Sequence, residues 1–85
     1  MAEQEIGVIT RYFDRIGVAA LTITAGTLRV GDTIRIEGHG GDVEMTVDSI
    51  QLDRAQIDEA VPEQEVGIKV PSPVRPKDFV YKITD

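Results

Sequence analysis

The sequence predicts an all-β fold, a small antiparallel barrel or sandwich of about six strands. Segments rich in β-branched residues recur at spacings of roughly ten residues, and turns that contain glycine, aspartate or proline separate them. No segment has the spacing of a convincing amphipathic helix. We interpret residues 1–85 as one domain, because this length holds a single hydrophobic core. Closure into a barrel is favoured, since it leaves no exposed sheet edge.

The first two strands are predicted to pair as an antiparallel hairpin. Residues 5–13 are rich in β-branched side chains, and their alternation places Ile6 and Ile9 on opposite faces. A short turn over residues 13–17 follows. Residues 18–24 contain alanines, but their threonines and isoleucine and the glycine that follows favour a strand over a helix.

Residues 25–38 predict a tight turn followed by a strand. Gly31 can adopt a positive φ, and the short side chain of Asp32 can accept hydrogen bonds from nearby backbone N–H groups. Ile34 and Ile36 then alternate with charged residues, which is the pattern of a strand with one buried face. We therefore expect turn chemistry at the glycine–aspartate pair rather than a phosphate or metal site.

The middle of the chain predicts a strand over residues 43–52. Its apolar positions alternate at first and then shift by one, so we expect a β-bulge near Asp48-Ser49. Residues 54–61 predict a loop that lays Ile57 or Val61 against the barrel.

The last third of the chain predicts two more strands. Residues 65–70 form the first, with Val66 and Ile68 facing inward. Residues 71–76 contain three prolines, which remove ladder donors and exclude a central strand. Residues 79–83 are predicted as the final strand.

Composition and charge exclude several classes of function. The absence of cysteine excludes disulfides and thiolate chemistry and fits a reducing compartment. The N-terminus lacks the basic start and apolar run of a signal peptide, and no apolar run approaches the roughly 20 residues of a membrane span. We therefore expect a cytoplasmic protein with no membrane contact. A net charge of −6 disfavours binding to phosphate backbones, so no DNA partner is expected.

The charge is unevenly placed along the chain. Residues 48–65 hold six acidic residues against Arg54, whereas residues 69–82 hold four cationic residues against Asp78. Two interpretations remain open. One is a solvated acidic loop beside an unremarkable basic end, and the other is a dipolar surface with one basic docking edge.

Several motifs, taken in order, resemble the second domain of translational GTPases such as elongation factor Tu. The motifs are Gly7-Val8-Ile9, the run from Gly26 to Ile34, Val47-Asp48-Ser49-Ile50, Ala60 and Val66-Gly67-Ile68. The resemblance implies a small closed six-stranded antiparallel Greek-key barrel and a role in protein biosynthesis. The sequence departs from the family at Pro62-Glu63-Gln64 and Lys77-Asp78, where glycine-containing turns are usual. It also lacks a GxxxxGK phosphate loop, so we expect no GTP binding by this chain.

Residues 70–78 are also similar to the C-terminal barrel of the collagenase-like peptidase family, whose members include enzymes implicated in tRNA hydroxylation. The two resemblances agree on architecture and differ on partner. The first hypothesis is a non-catalytic binding module that docks on a protein or ribonucleoprotein of the translation or tRNA-modification machinery. The alternative is a protein-only adaptor, equivalent to the tail barrel of a collagenase-like enzyme supplied as a separate chain.

No group of residues predicts catalysis or a bound cofactor. His39, the only histidine, lies in a glycine-rich turn and is interpreted as exposed and without a chemical role. The acidic residues of 48–65 lack the spacing of a calcium loop, so no metal site is expected. Ser49 and Ser72 have no base nearby in any recognised pattern. We therefore expect that the chain is not an enzyme.

Basic residues beside aromatic rings, a pattern of proteins that bind single-stranded RNA, occur at both ends of the chain. The alternative is that Phe13 or Phe79 belongs to the core and that the tyrosines are half-buried at strand ends. The resemblance implies contact with the acceptor end of aminoacyl-tRNA, although no side chain matches a specific tRNA contact. A protein partner is expected, and tRNA or another RNA is left open as a second. The candidate contact residues are Arg11, Tyr12, Arg75, Lys77, Tyr81 and Lys82.

Overall fold

The computed structural model describes residues 2–38 and 41–84, and this part of the chain contains ten β-strands and no helix. The predicted all-β class is confirmed. His39, interpreted above as an exposed turn residue, lies outside the described residues. The strands are β1 Ala2–Phe13, β2 Val18–Ile23, β3 Leu28–Arg29, β4 Thr33–Glu37, β5 Val43–Thr46, β6 Ile50–Leu52, β7 Ala55–Ile57, β8 Glu59–Ala60, β9 Glu65–Lys69 and β10 Phe79–Thr84.

Eight of these strands form one antiparallel sheet in the order β5-β4-β10-β1-β2-β9-β6-β7, and β3 pairs with β8. The sheet curls strongly around a hydrophobic core to which strands from both of its halves contribute. The predicted closed six-stranded barrel is wrong, because β5 and β7 are the edges of an open sheet and do not pair with each other. The largest fully buried side chains are Ile6, Ile9, Leu21, Ile23, Leu28, Ile34, Ile36, Ile50, Ile68, Val47, Val66 and Val80.

A connecting segment spans the gap between the two sheet edges. The Val30 N–H donates to the Asp58 carbonyl, which follows β7 (3.1 Å). The Gly31 N–H donates to the Val47 carbonyl, which follows β5 (2.8 Å), and the Val47 N–H donates to the Asp32 carbonyl (2.9 Å). In a closed barrel, the two edge strands would pair through a continuous ladder of backbone hydrogen bonds. Here a few individual hydrogen bonds of the connecting segment satisfy backbone groups next to these edges instead.

Two register shifts in β1 decide which of its residues reach the core. One lies between Glu5 and Gly7 against β10, and the other lies between Ile9 and Arg11 against β2. Ile6 and Ile9 are both buried, so their predicted opposite orientation is wrong, because a bulge changes the alternation. A Cβ at Gly7 would lie 2.6 Å from a carbonyl oxygen of β2, so only glycine fits there.

The predicted strand over residues 43–52 is two strands. β5 pairs with β4, whereas β6 pairs with β7 and β9. Val47 and Ile50, three residues apart, are both buried. The shift in the apolar pattern therefore marks a change of neighbouring strand, and the predicted β-bulge within one strand is wrong.

The predicted loop after β6 contains β7 and β8. Ile57 packs against the core as predicted, and Ala60 is fully buried, whereas Val61 is exposed. Strands of two or three residues are too short to show an alternation in the sequence. The segment over residues 71–76 contains no strand, as predicted, and the buried Val74 anchors it to the core.

The predicted turn at Gly31 and Asp32 is confirmed. Gly31 has a φ of 96°, in the left-handed region that favours glycine. The Arg29 N–H donates to the Asp32 carboxylate (N to Oδ2, 2.8 Å), and the Asp32 N–H donates to the Arg29 carbonyl (3.1 Å). β4 begins immediately after this turn.

The same turn occurs twice more, before β9 and before β10. Glu63 and Lys77 occupy the place of Gly31, with φ values of 76° and 75°. At both positions the translation-factor family usually has a glycine. The chain forms the same turn there with a non-glycine residue, whose left-handed backbone is strained. In the turn before β9, the Gln64 N–H donates to the Val61 carbonyl (3.2 Å) and the Val61 N–H donates to Gln64 Oε1 (3.0 Å). In the turn before β10, the Asp78 N–H donates to the Arg75 carbonyl (3.2 Å) and the Arg75 N–H donates to Asp78 Oδ2 (2.9 Å).

Candidate binding surface

The six residues predicted as partner contacts do not form one surface. β10 pairs with the first half of β1, whereas the candidates on β1 lie in its second half, which pairs only with β2. Their role as contacts stays a prediction. Two candidates lie on β1 (Arg11, Tyr12), two in the turn before β10 (Arg75, Lys77) and two on β10 (Tyr81, Lys82).

Lys82 is held within the fold. Its Nζ lies 3.1 Å from Asp32 Oδ2 and donates to the Thr27 carbonyl (3.3 Å). Because the same Asp32 oxygen accepts the Arg29 N–H, Lys82 ties β10 to the turn before β4. Its charge is therefore already paired, which weakens its attraction for a partner.

Tyr81 is covered by the side chain of Arg35. The guanidinium carbon lies 4.7 Å from the ring centroid. Arg35 donates two hydrogen bonds to Glu3 (Nε–Oε2 2.9 Å, Nη2–Oε1 2.7 Å) and one to Asp42 (Nη1–Oδ2 2.7 Å). These bonds lower the pKa of Glu3, and partial burial raises the pKa of Tyr81. One face of the Tyr81 ring is thus occupied and does not offer a stacking surface for a base.

The aromatic residues divide differently from the prediction. Phe13 and Phe79 are 43% and 44% exposed, so the alternative that one or the other belongs to the core is wrong. Tyr12 packs against the core and is half-buried, as the alternative for the tyrosines predicted. Adjacent residues of a strand face opposite sides, so an inward Tyr12 places Phe13 outward.

An apolar groove opens beside the β1–β2 hairpin, over the outer face of β2 and β9, with a volume of about 690 Å³. Ala20 and Gly67, which are cross-strand partners, form its floor. Phe13 and Ile16 form apolar walls, and Ile16 is 67% exposed. We call this site the hairpin groove. Its further lining residues include Arg11, Val18, Gln51, Asp53, Arg54 and Glu65.

The hairpin turn holds the two exposed apolar walls in place. The Ile16 N–H donates to the Phe13 carbonyl (3.3 Å), and Gly17 has a φ of 64°. The Gly17 carbonyl accepts the Val70 N–H (2.9 Å), which ties the turn to the chain after β9. Phe13 and Ile16 therefore lie on an anchored turn, a preorganised arrangement that reduces the entropy lost on binding.

Four cationic residues lie in or next to the hairpin groove. Arg11 and Arg54 line it, Arg15 lies in the hairpin turn, and Lys69 pairs with Val18, a lining residue. None of these four forms an ion pair in residues 2–38 and 41–84. Their charge is therefore available to a partner. Among the described residues, the cationic side chains that are paired are those of Arg29, Arg35 and Lys82.

The candidate contacts predicted from the sequence included neither Ile16 nor Phe13. A signal was present, because two large apolar residues lie in a five-residue segment that was predicted as a turn. Turns run over the surface, so apolar side chains within one indicate an exposed patch.

Outside the hairpin groove, the described residues include a further cleft with ionisable groups in its lining. A polar cleft of about 380 Å³ is lined by Gly38, Ser72, Arg75 and Asp78 among others. The buried Asp78 carboxylate in it accepts the Arg75 N–H and so closes a turn. Within residues 2–38 and 41–84, no three potential metal ligands cluster, and no helix is long and apolar enough to cross a membrane.

The curled antiparallel sheet is a β-domain of the kind found in translation factors. The chain belongs to the family described as Elongation factor Tu domain 2, whose model matches residues 17–72. This match begins at the hairpin turn and includes the floor of the hairpin groove.

Curated relatives with collagenase and protease names align with nearly the whole chain. A collagenase of Porphyromonas gingivalis is 35% identical over 78 residues, which are 91% of this chain and 22% of the collagenase. An uncharacterised protease of Methanocaldococcus jannaschii is 33% identical over 82 residues, which are 95% of this chain and 20% of the protease. The chain thus spans about one fifth of the length of these curated relatives.

Solved structures share the fold. The C-terminal domain of a Geobacillus thermoleovorans protein assigned to the U32 peptidases gives a TM-score of 0.88 at 23% identity, covering 95% of this chain and 93% of that chain. GDP-bound aIF5B from Aeropyrum pernix gives a TM-score of 0.78 at 20% identity, covering 99% of this chain and 17% of that chain. The two predicted resemblances, to the translational GTPase domain and to the collagenase-like peptidase barrel, are confirmed.

Proposed function

We propose that the chain is a non-catalytic protein-docking module, the counterpart of the C-terminal domain of a U32 peptidase, and that the hairpin groove is its docking face. One observation carries this proposal: Phe13 and Ile16 stay exposed on an anchored turn beside an apolar floor. Large apolar side chains exposed together mark interaction surfaces. Burying them against a partner would stabilise a complex without altering the core.

The partner we propose is the larger part of a collagenase-like protein, in the same polypeptide or in a separate one. The relatives support this choice, because the segment they share with this chain is about one fifth of their length. Interfaces between domains typically bury roughly 600–1,500 Å². An interface of that size extends beyond the groove and would include neighbouring residues of the β1–β2 hairpin.

Charge and geometry favour a protein over RNA as the main partner. The net charge of −6 opposes association with a phosphate backbone. Tyr81 lies under Arg35, and Lys82 is paired with Asp32. The remaining candidates are divided between β1 and the turn before β10, so they offer no continuous basic track.

A second candidate function is docking on a translation or tRNA-related partner. Membership of the elongation factor family supports it. The exposed Phe13 with Arg11 at the same groove is also an arrangement that suits stacking of a nucleotide base. In this alternative the same groove binds a base rather than a protein side chain.

Amide chemical shifts of the ¹⁵N-labelled chain test the two candidates. The first probe is the P. gingivalis collagenase from which the segment matched by this chain has been removed, and the second is bulk tRNA at low salt. The proposal expects shifts centred on Phe13, Ile16, Ala20 and Gly67 with the first probe. Shifts with tRNA alone would support the second candidate and overturn the first, and no shift with either probe would overturn both.

A matched pair of variants sharpens this titration. Ile16→Ser should abolish the shifts caused by the collagenase probe, because it removes an exposed wall of the groove. Val30→Ser removes another exposed apolar residue, 42% exposed and outside the groove, and should leave binding unchanged. Equal effects of the two variants would contradict the assignment of the docking face.

A further inference from the structure

The floor of the hairpin groove is recessed. Ala20 and Gly67 face each other across β2 and β9 and contribute one methyl group between them. The walls at Phe13 and Ile16 carry much larger side chains. A Cβ at Gly67 would lie 3.2 Å from Cγ1 of Val18, so a side chain at position 67 would press on the neighbouring Val18 side chain. A recess of this shape accepts one large apolar side chain.

The lining of the groove is balanced in charge, because it includes Arg11 and Arg54 as well as Asp53 and Glu65. With Arg15, Lys69 and Asp14 next to the groove, four cationic residues stand against three carboxylates, which leaves one net positive charge at this end of a chain whose total is −6. The Glu65 carboxylate is engaged, because its Oε2 accepts the Thr10 hydroxyl (2.7 Å). The three carboxylates are those of Asp14, Asp53 and Glu65.

One of the cationic residues is fixed in position by the backbone. Asp53 and Arg54 join β6 to β7 and have φ values of 51° and 69°. Two consecutive left-handed residues form the tightest connection between paired strands. Arg54 therefore lies at a defined point of the rim, across the sheet from Arg11.

We propose that the occupant of the hairpin groove is an acidic-apolar protein segment. One large apolar side chain of this segment sits over Ala20 and Gly67, and its flanking carboxylates face Arg11 and Arg54. This inference rests on the proposed docking function and names the chemistry of the partner at the same surface. Opposite charges at the rim of an apolar contact set its specificity and its rate of association.

A nucleic acid matches this surface less well than a protein segment. Each nucleotide carries a phosphate, so a bound strand would bring negative charge close to Asp53 and Glu65 as well as to the arginines. A protein segment carries carboxylates only where its sequence places them. Ile16 is the most exposed of the walls. Its aliphatic side chain suits contact with an apolar side chain of a partner, whereas stacking on a base requires an aromatic ring or a guanidinium group.

Dissociation constants of full-chain variants for the same truncated collagenase test the inference. Ala20→Leu fills the recess from the outer face, and Arg11→Glu combined with Arg54→Glu reverses the charge of the rim. Each change should weaken binding by at least about tenfold. Thr46→Glu combined with Ser72→Glu adds negative charge at two exposed residues that lie outside the groove and outside the candidate contacts, and should change the constant by less than about twofold. Added salt should weaken the wild-type complex more than the Arg11→Glu, Arg54→Glu complex.

The outcomes separate this inference from the proposed function. If Ala20→Leu abolishes binding and the rim reversal does not, docking stands and the acidic occupant is overturned. If the rim reversal weakens binding and neither Ala20→Leu nor Ile16→Ser does, the apolar part is overturned. Failure of the wild-type chain to bind overturns the proposed function itself. Circular dichroism establishes that each variant is folded, and Ile16→Ser replaces Ala20→Leu if the latter does not fold.

Discussion

Arg35 covers the ring of Tyr81 where β4, β10 and β1 run side by side. Arg35, Tyr81 and Glu5 occupy matching positions of the three strands. Arg35 also binds Glu3 and Asp42, so a single cation joins β1, β4, β10 and the segment before β5. A bidentate arginine pair with fixed geometry is stronger than an isolated surface ion pair.

Glu3→Gln should lower the melting temperature at pH 7, because it removes the carboxylate that accepts two hydrogen bonds from Arg35. The hydrogen bond to Arg35 lowers the pKa of Glu3 from its ordinary value of 4.5. Its stabilising contribution is therefore complete above that value and is lost as the pH falls through the lower pKa of the folded state. The difference in melting temperature between wild type and variant should shrink with increasing acidity.

Thermal denaturation followed by circular dichroism, repeated from neutral to acidic pH, measures this difference. Asp48→Asn is the control, because Asp48 is exposed and makes no ion pair in the described residues. Its melting temperature should follow that of the wild type. Equal melting temperatures for Glu3→Gln and wild type at pH 7 would show that the Arg35 network does not stabilise the fold.

Tyr81 should titrate above the ordinary tyrosine pKa of 10.0. In a Tyr12→Phe chain it is the remaining tyrosine, so its absorbance reports this pKa directly. Partial burial is the main cause of the shift, and the charges of Glu37 and Glu5 add to it. The folded state favours the neutral phenol, so this contribution to stability is complete below pH 10.0 and is lost as the pH rises through the folded pKa. The unfolded chain in denaturant is the control and should titrate at the ordinary value.

Glu63→Gly and Lys77→Gly should each stabilise the fold by about 0.5–1 kcal/mol. Both residues have left-handed backbones, which are unfavourable for any residue with a Cβ. Part of the gain is offset, because glycine loses more backbone entropy on folding. Urea unfolding measures the free energy. Ser72→Gly, at an exposed residue outside the strands and without a positive φ, is the control and should be slightly destabilising.

Ile16→Ser should change the free energy of unfolding by less than about 0.5 kcal/mol, because the side chain is exposed. Ile9→Ala, on the same hairpin but fully within the core, should cost about 2–5 kcal/mol. Urea unfolding of both variants compares the two positions. A loss at Ile16 as large as the loss at Ile9 would mean that Ile16 serves folding rather than docking.

The strands and turns that rest on local patterns were predictable. Ile34 and Ile36 alternate with charged residues, and they are buried in β4 as expected. Gly31 and Asp32 form the predicted turn, because a left-handed backbone and a short acceptor side chain are local requirements. The turns at Glu63 and Lys77 were not recognised as copies of it, since their positive φ is imposed by the surrounding structure on residues that do not prefer it.

The arrangement of the strands and the candidate site were less predictable. The closed barrel was wrong because closure requires β5 and β7, which are distant along the sheet, to meet edge to edge. Alternation does not encode such a meeting. Tyr12 rather than Phe13 packs against the core, because the bulge after Ile9 changes the face of every residue that follows it in β1. Among the candidate contacts, Arg11 lines the groove. The contacts of Tyr81 with Arg35 and of Lys82 with Asp32 join residues far apart in the sequence, so only the structure shows them.

The sequence by itself determined the all-β class, most of the strands, the Gly31–Asp32 turn and the kinship with elongation factor Tu domain 2, because these depend on residue type and spacing along the chain. Only the tertiary structure decided that the sheet stays open, that Arg35 covers Tyr81, and that Phe13 and Ile16 stand over a floor of Ala20 and Gly67. Each of these joins residues far apart in sequence. Their distances are set by strand register and bulges, which a linear pattern does not contain.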